Sequence, residues 1–439
     1  MASNFDDVVT SFLNRYRHVD ARPRWLPKDV VLTAIISDGP IVEFNGYIFY
    51  PLHLVTNSGL AYRFVAVEVV EGSTKGFIEL FEAPAEVFGS YMKARVMASQ
   101  GMHPTDFVIA DLEMTPLLLD QTNSAFLVGD SIFAKYYRKV DEFNREATYY
   151  EKMETSAAIT PYYGKVLDSS GRIESLFTGS LKDPKSLFQV TVDAISLGNW
   201  SGVADKIHDA GVALGEVHAA IEAVGAKVED LIEWYSKRCA VRGDRLHQGV
   251  VTIDLSGITY SVDVGETLGT LSGRITTRPA HGDFHLGQCL IEGDRIVVID
   301  FEGEPVGEAN QPFDTPFRDL SGALRSISYL VGVASGPEAV VEMADRVIEM
   351  RKGFLEGYVS TASGAELVLS DSCTEAVAFF EFEKACYELL YEKTFRPEWI
   401  DIPASSIRIV GDALKNRSSW ESTQGIDDRI ESIANFYRR

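Results

Sequence analysis

One short window limits the fold of this chain more than any other. In QCLIEGDRIVVID, residues 288–300, two apolar runs flank a Gly-Asp pair, the pattern of a β-hairpin closed by a tight turn. Its surroundings read differently. From about residue 200 onward, VADKIHDAGVALGEVHAAIEAV, EAVVEMADRVIEMRKGFLEGYVS and SCTEAVAFFEFEKACYELLYEK carry apolar residues at helical spacing. A half made of amphipathic helices must therefore close around one hairpin. That hairpin is also dense in chemistry, with HGDFHLG leading into it and Asp300 at its end. An unpaired buried charge is costly, so a core rarely holds Asp or His without a partner. Either these groups satisfy one another or they hold something that is not protein.

The first half is β-rich. VVLTAIIS, EFNGYIFYPLHLV, YRFVAVEVV and KGFIELF read as strands between Gly, Asn and Ser turns, and PAEVFGSYMKARVMASQGM as the helix that follows. SAFLVGDSIFAKYYRKV is two strands about a Gly-Asp turn, then FNREATYYEKMET is a charged helix, and ITPYYGKVLD and SLFQVTVDAIS return to strand character. At 439 residues the chain exceeds one ordinary core, so two or three domains of α+β class are expected.

Charge and composition narrow the partners. A net charge of −23 repels the phosphates of nucleic acid, and an anionic ligand would need cations gathered locally. No stretch approaches the roughly 18 apolar residues of a membrane helix. The opening MASNFDDVVTSF lacks a signal-peptide pattern, and Cys239, Cys289, Cys373 and Cys386 are scattered without a CxxC pair. A reduced, cytoplasmic protein is expected, and a monomer is compatible with all of this.

Folding the hairpin about residue 294 sets Gln288 opposite Asp300. One charged and one neutral oxygen-bearing side chain suit a hard cation such as Mg²⁺. Asp283, five residues before Gln288, is a carboxylate that the metal does not need, and so suits a proton acceptor for a hydroxyl nucleophile. His281 is placed to tie the loop down through its ring.

At this point the residues resemble a family. HGDFHLGQ followed by VVIDFEGEP is similar to the signature of aminoglycoside-phosphotransferase-like kinases, relatives of the protein kinases. Gln rather than Asn at 288, together with DFEGEP, resembles the branch of the maltokinases and the related glucosamine kinases. FRDLSGALRSISYL, FEFEKACYELLYEKTFRPEWIDIP and LLLDQTNSAFLVGDSIFAKYYRKV resemble further segments of that branch, and ARPRWLPKD its N-terminal cap. The resemblance spans about residues 20 to 410. It implies a bilobal protein-kinase-like fold: a cap subdomain over 1–103, a nucleotide-binding lobe over 104–195 and a helical C-lobe over 196–439. It assigns Asp283 as catalytic base and Gln288 and Asp300 as Mg²⁺ ligands.

The same resemblance implies an ATP site. Lys135 would neutralise phosphate and pair with Glu146, as strand lysine and helix glutamate do in protein kinases. Gln121, Thr122, Asn123 and Ser124 would cradle phosphate, with Arg138 and Lys139 as local positive charge, and FQVTVDAI would be the hinge that reads adenine. At the sugar end, His285, Glu302 and Arg325 lie near the catalytic loop, and Glu388, Tyr391 and Glu392 recur at helical spacing. His218, on an apolar helix face, reads as a core histidine. The implied reaction is phosphorylation of maltose to maltose 1-phosphate, with small-molecule sugar and ATP as partners. KTF stands where many maltokinases have two Asn, which keeps glucosamine or glucose, phosphorylated at the 6-hydroxyl, as the alternative acceptors. An antibiotic phosphotransferase normally lacks the cap and the Gln ligand. A catalytically dead sugar or nucleotide sensor would normally lose one of the four catalytic positions, and all are filled.

Overall fold

The computed structural model describes residues 2–23, 25–71, 74–98, 112–117, 122–221, 230–242, 249–255, 258–275, 277–304, 313–415 and 425–438. The chain divides into two compact units, Met1–Glu151 with Thr160–Leu181, and Lys152–Ile159 with Lys182–Arg439.

The first unit opens on a helix, α1 (Ala2–Arg17), that the sequence reading of strands followed by one helix did not include. Val8, Phe12 and Tyr16 are spaced i, i+4, i+8 and form one buried stripe, with Phe12 and Phe64 rings 4.9 Å apart. An antiparallel sheet follows, made of β1 (Leu32–Ser37), β2 (Val42–Phe44), β3 (Tyr47–Thr56), β4 (Ala61–Glu71) and β5 (Thr74–Glu79). Next comes α2 (Ala85–Ala98) and a second sheet. It contains β6 (Met114–Leu117), β7 (Ser124–Val128) and β8 (Ile132–Tyr136), then, after α3 (Arg145–Lys152), β9 (Tyr162–Leu167) and β10 (Ile173–Gly179), in the order β6-β7-β8-β10-β9.

One core serves both sheets. Phe49 and Val67 of the first, Phe88 and Tyr91 of α2, and Phe126 and Phe177 of the second are all buried in it. Each such side chain contributes roughly 1.5–3 kcal/mol by leaving water. Arg138 is buried at the same junction: its Nη1 donates to Glu79 at 2.9 Å and its guanidinium lies over Trp25 and Phe81. A buried polar knot adds a second tie, in which Arg63 donates to Asp168 at 2.6 Å and Arg172 to the same carboxylate at 2.9 Å.

The second unit is mainly helical. Its elements are β11 (Lys185–Ser186), α4 (Leu187–Ser196), α5 (Ser201–Ile221), α6 (Leu231–Arg242), β12 (Val250–Leu255), β13 (Ile258–Asp263), α7 (Val264–Leu271), β14 (Cys289–Glu292) and β15 (Arg295–Val298). After them come α8 (Pro316–Ser335), α9 (Ala339–Glu342), α10 (Ala344–Val359), α11 (Ala362–Leu369), α12 (Cys373–Phe395), α13 (Asp401–Lys415) and α14 (Ile426–Ala434). Two expectations are corrected here. FQVTVDAI is not a hinge strand but part of α4: Leu187, Thr191, Val192 and Ile195 are buried at helical spacing, and the Ser186 hydroxyl caps the helix by accepting from the Gln189 N–H. The helical half also holds a second hairpin, β12–β13, besides the window of β14 and β15. Among the described residues no helix is long and apolar enough to cross a membrane.

Candidate active site

The β14–β15 hairpin forms as its turn signal predicts, with Glu292 paired to Arg295 and Cys289 to Val298 across Gly293-Asp294. Continuing that register places Gln288 opposite Ile299, whose N–H donates to the Gln288 carbonyl at 3.0 Å, rather than opposite Asp300. The turn is centred between 293 and 294, which accounts for the one-residue offset. Asp300 then adopts a left-handed backbone, φ 66°, rare for a residue with a Cβ. Its carboxylate still meets Gln288, whose Nε2 donates to Oδ2 at 3.3 Å.

This pair fits a hard cation. Both side chains are half-buried, and rotating the Gln288 amide by half a turn would present its oxygen beside the carboxylate. A carboxylate and an amide oxygen, with water completing the shell, is a donor set that Mg²⁺ accepts.

The loop before the hairpin is pinned from several directions. Asp319, buried on α8, accepts the backbone N–H of His281 at 2.6 Å and of Gly282 at 2.7 Å. Its carboxyl is held below the ordinary carboxylate range: burial acts the other way, but the bond from His218, the His218 and His281 rings and the loop N–H groups outweigh it. The His281 Nε2–H donates to the Ile299 carbonyl at 2.9 Å, so loop and hairpin hold one another. Gly322 brings α8 against the loop, since a Cβ there would lie 2.2 Å from the Phe284 carbonyl oxygen. Asp283 emerges from this scaffold with its side chain about one-fifth exposed, in a small cleft lined by Gly282, Phe284, Gly322, Glu383 and Lys384. His218 is a satisfied core histidine, its Nε2 3.0 Å from Asp319 and its Nδ1 2.7 Å from the Tyr358 hydroxyl.

In the first unit, Lys135 on β8 donates to Glu146 on α3 at 2.9 Å, and the Tyr137 hydroxyl donates to the same oxygen at 2.7 Å. Gln121 lies outside the described residues. Thr122 is exposed, whereas Asn123 and Ser124 accept from the Arg138 backbone N–H at 3.1 Å and its Nε at 2.7 Å. Arg138 is therefore no phosphate-side cation: it is 1% exposed and engaged with protein groups. Lys139 is half-buried beside Asp141 at 3.2 Å.

The residues expected at the sugar end separate. His285 is half-buried, accepts the Gly287 N–H at 3.0 Å, and is held below its ordinary pKa by burial. Glu302 is half-buried. Arg325 is fully buried and donates to Glu388 from Nε at 3.0 Å, and to the hydroxyls of Ser406 and, at 3.2 Å, Tyr437. Glu388, Tyr391 and Glu392 do not share a face. Adjacent helical positions are about 100° apart, so Tyr391 points outward, its ring tilted against that of Phe395 with centroids 4.8 Å apart. Glu392 points in and accepts from Tyr329 at 3.1 Å and Arg396 at 2.7 Å.

Sequence reasoning missed Lys384, Asp319 and Glu304 as parts of the site. Lys384 Nζ donates to Asp283 Oδ1 at 3.0 Å and lies 3.4 Å from Glu304. The available signal was a lone lysine in the apolar run AFFEFEKAC.

No protein-family model matches the chain. It is similar to a glucosamine kinase of Mycolicibacterium smegmatis, 25% identical over 326 residues, covering 66% of this chain and 78% of that one. A glucosamine kinase of Streptacidiphilus jiangxiensis is 25% identical over 229 residues, half of this chain and 49% of that one. Among solved structures, a glucosamine kinase in complex with glucosamine, ADP and inorganic phosphate superposes with a TM-score of 0.60 at 16% identity, over 91% of this chain and 98% of that one. A second crystal form of glucosamine kinase gives 0.62 at 16% identity, over 89% and 95%. The fold is thus the mixed helix-and-sheet, protein-kinase-like one that the motifs implied.

Proposed function

We propose that this chain is an ATP- and Mg²⁺-dependent kinase that phosphorylates a sugar hydroxyl, with glucosamine as acceptor. The observation that carries the reading is the Gln288–Asp300 pair beside the Asp283 loop, a metal-ligand set and a separate carboxylate on one braced hairpin. Similarity to glucosamine kinases in sequence and fold supports the acceptor. So does charge: an amino sugar is a cation near neutral pH, and a protein of net charge −23 attracts it. Maltose, favoured by DFEGEP and the Tyr-Glu stretch of α12, has no comparable support from the relatives.

Phosphoryl transfer needs positioning and neutralisation more than covalent chemistry. When bound, Mg²⁺ neutralises phosphate charge. The protein's own part begins with Asp283, which accepts the proton of the attacking hydroxyl. Asp319 and His281 keep the loop that carries Asp283 rigid. Lys135, oriented by Glu146, supplies a cation for the nucleotide phosphates, and Gln288 and Asp300 supply the oxygens for the metal.

The test is a panel of glucosamine, glucose, maltose and an aminoglycoside with ATP and Mg²⁺, read by ³¹P NMR of the products. The reading expects glucosamine to have the largest kcat/KM, with a phosphomonoester on a product that keeps its reducing end. A non-reducing product from maltose would move the acceptor to maltose. ATP left intact by every acceptor would overturn the kinase assignment.

A further inference from the structure

α12 is a core helix: Ala376–Phe380, Phe382, Ala385 and Cys386 are all buried. Lys384 interrupts that apolar surface, with its side chain only 16% exposed. An ammonium in such a place is costly unless carboxylates compensate it. Two do, Asp283 Oδ1 at 3.0 Å and Glu304 Oε1 at 3.4 Å. Burial opposes its charge, yet Asp283 and Glu304 together hold its pKa above the ordinary lysine value, so it stays an ammonium. Glu304 is also bound by two arginines, Arg318 at 2.6 Å and Arg238 at 2.5 Å, and Arg318 is itself anchored by Asp314 at 2.6 Å. With Glu304 so shared, the Lys384 ammonium is directed mainly to Asp283.

We propose that Lys384 is a positioning residue for the transfer step: it fixes the Asp283 carboxylate through Oδ1 and leaves Oδ2 to the acceptor hydroxyl. The proposal rests on the reading of Asp283 as base. In that step the acceptor O–H bond breaks and its proton passes to Oδ2. The hydroxyl oxygen forms the new bond to the γ-phosphorus, and the bond from that phosphorus to ADP breaks with its electron pair leaving on ADP. A carboxylate free to rotate would present its oxygen in the reactive geometry less often, and small misplacements cost up to about 10²-fold in rate. Lys384 acts through Asp283, not on the sugar.

The experiment is a double-mutant cycle. Lys384→Met and Asp283→Asn are made singly and together, with Lys384→Arg as the charge-keeping control, and kcat and both KM values are measured. Lys384→Met should lower kcat about 10–100-fold with KM for MgATP nearly unchanged, and Lys384→Arg should recover part of the loss. In the Asp283→Asn background the same change should cost less than about threefold, because the group it positions is gone. An unchanged kcat, a loss confined to KM, or the full loss in both backgrounds would overturn the proposal. Asp283→Asn with native kcat would instead sink the base assignment, whatever Lys384 does. Should Lys384→Met not fold, Lys384→Arg in the same cycle reads the same coupling.

Discussion

Two of the lysine–carboxylate pairs among the described residues invite comparison, Lys135–Glu146 at 2.9 Å in the first unit and Lys384–Asp283 at 3.0 Å in the second. In the function proposed above their roles are inverted: in the first the lysine would meet the phosphates and the glutamate orient it, and in the second the aspartate would meet the hydroxyl and the lysine orient it. Burial separates the members of one pair only. Glu146 is the more buried member of its pair, at 5% against 18%, whereas Lys384 and Asp283 are nearly equal at 16% and 19%. A salt bridge in a structure therefore does not reveal which partner works; the surroundings of each partner do.

The two carboxylates should differ most. Asp283→Asn should lower kcat about 10²–10⁴-fold, the scale of a positioned base, while Glu146→Gln should cost distinctly less; steady-state kinetics of the two variants decides it, and equal losses would erase the inversion. Next come the lysines. Lys135→Ala should cost about 10²-fold in kcat, as loss of one preorganised charge does, with sugar affinity by calorimetry retained. If sugar binding vanishes with activity, Lys135 is structural.

A third change probes the scaffold under Asp283. Gly322→Ala would force a Cβ against the Phe284 carbonyl, so thermal stability should fall by about 1–3 kcal/mol, and α8 should no longer seat the loop. A variant as stable as the parent would mean that this contact relaxes freely. The smallest effect concerns His285, held below its ordinary pKa of 6.5 first by burial, with the Lys384 charge adding to it. Such a group binds protons more readily once unfolded. Its contribution to stability is thus whole above about pH 6.5 and is lost as pH falls below it. The fall in Tm between about pH 7.5 and about pH 5.5 should be shallower in His285→Gln, and an identical slope would exclude this residue as a source.

What the sequence revealed depended on distance along the chain. Gln288 and Asp300 were legible because a two-residue turn brings them together, and Lys135 and Glu146, 11 residues apart, because a strand leads into a helix. Lys384 and Asp283 are 101 residues apart, and no local pattern reports that contact. The same distance misled the reading of two arginines. Arg138 reads as a cation for phosphate and Arg325 as a sugar-site residue until Glu79, 59 residues away, and Glu388, 63 residues away, are folded against them. FQVTVDAI was misread for another reason: a short run rich in Val and Thr has strand propensity, and its helical burial appears only once α4 packs.

In the proposed mechanism Asp283 moves a proton while Asp300 holds a metal. Mg²⁺ titration of activity in Asp283→Asn and Asp300→Asn, side by side, tests it most directly. Asp300→Asn should need more Mg²⁺ and regain part of its activity as the concentration rises, because a charged ligand to a hard cation has been removed. Asp283→Asn should keep its Mg²⁺ requirement and regain nothing. Recovery of Asp283→Asn alone would exchange the two roles and contradict the account.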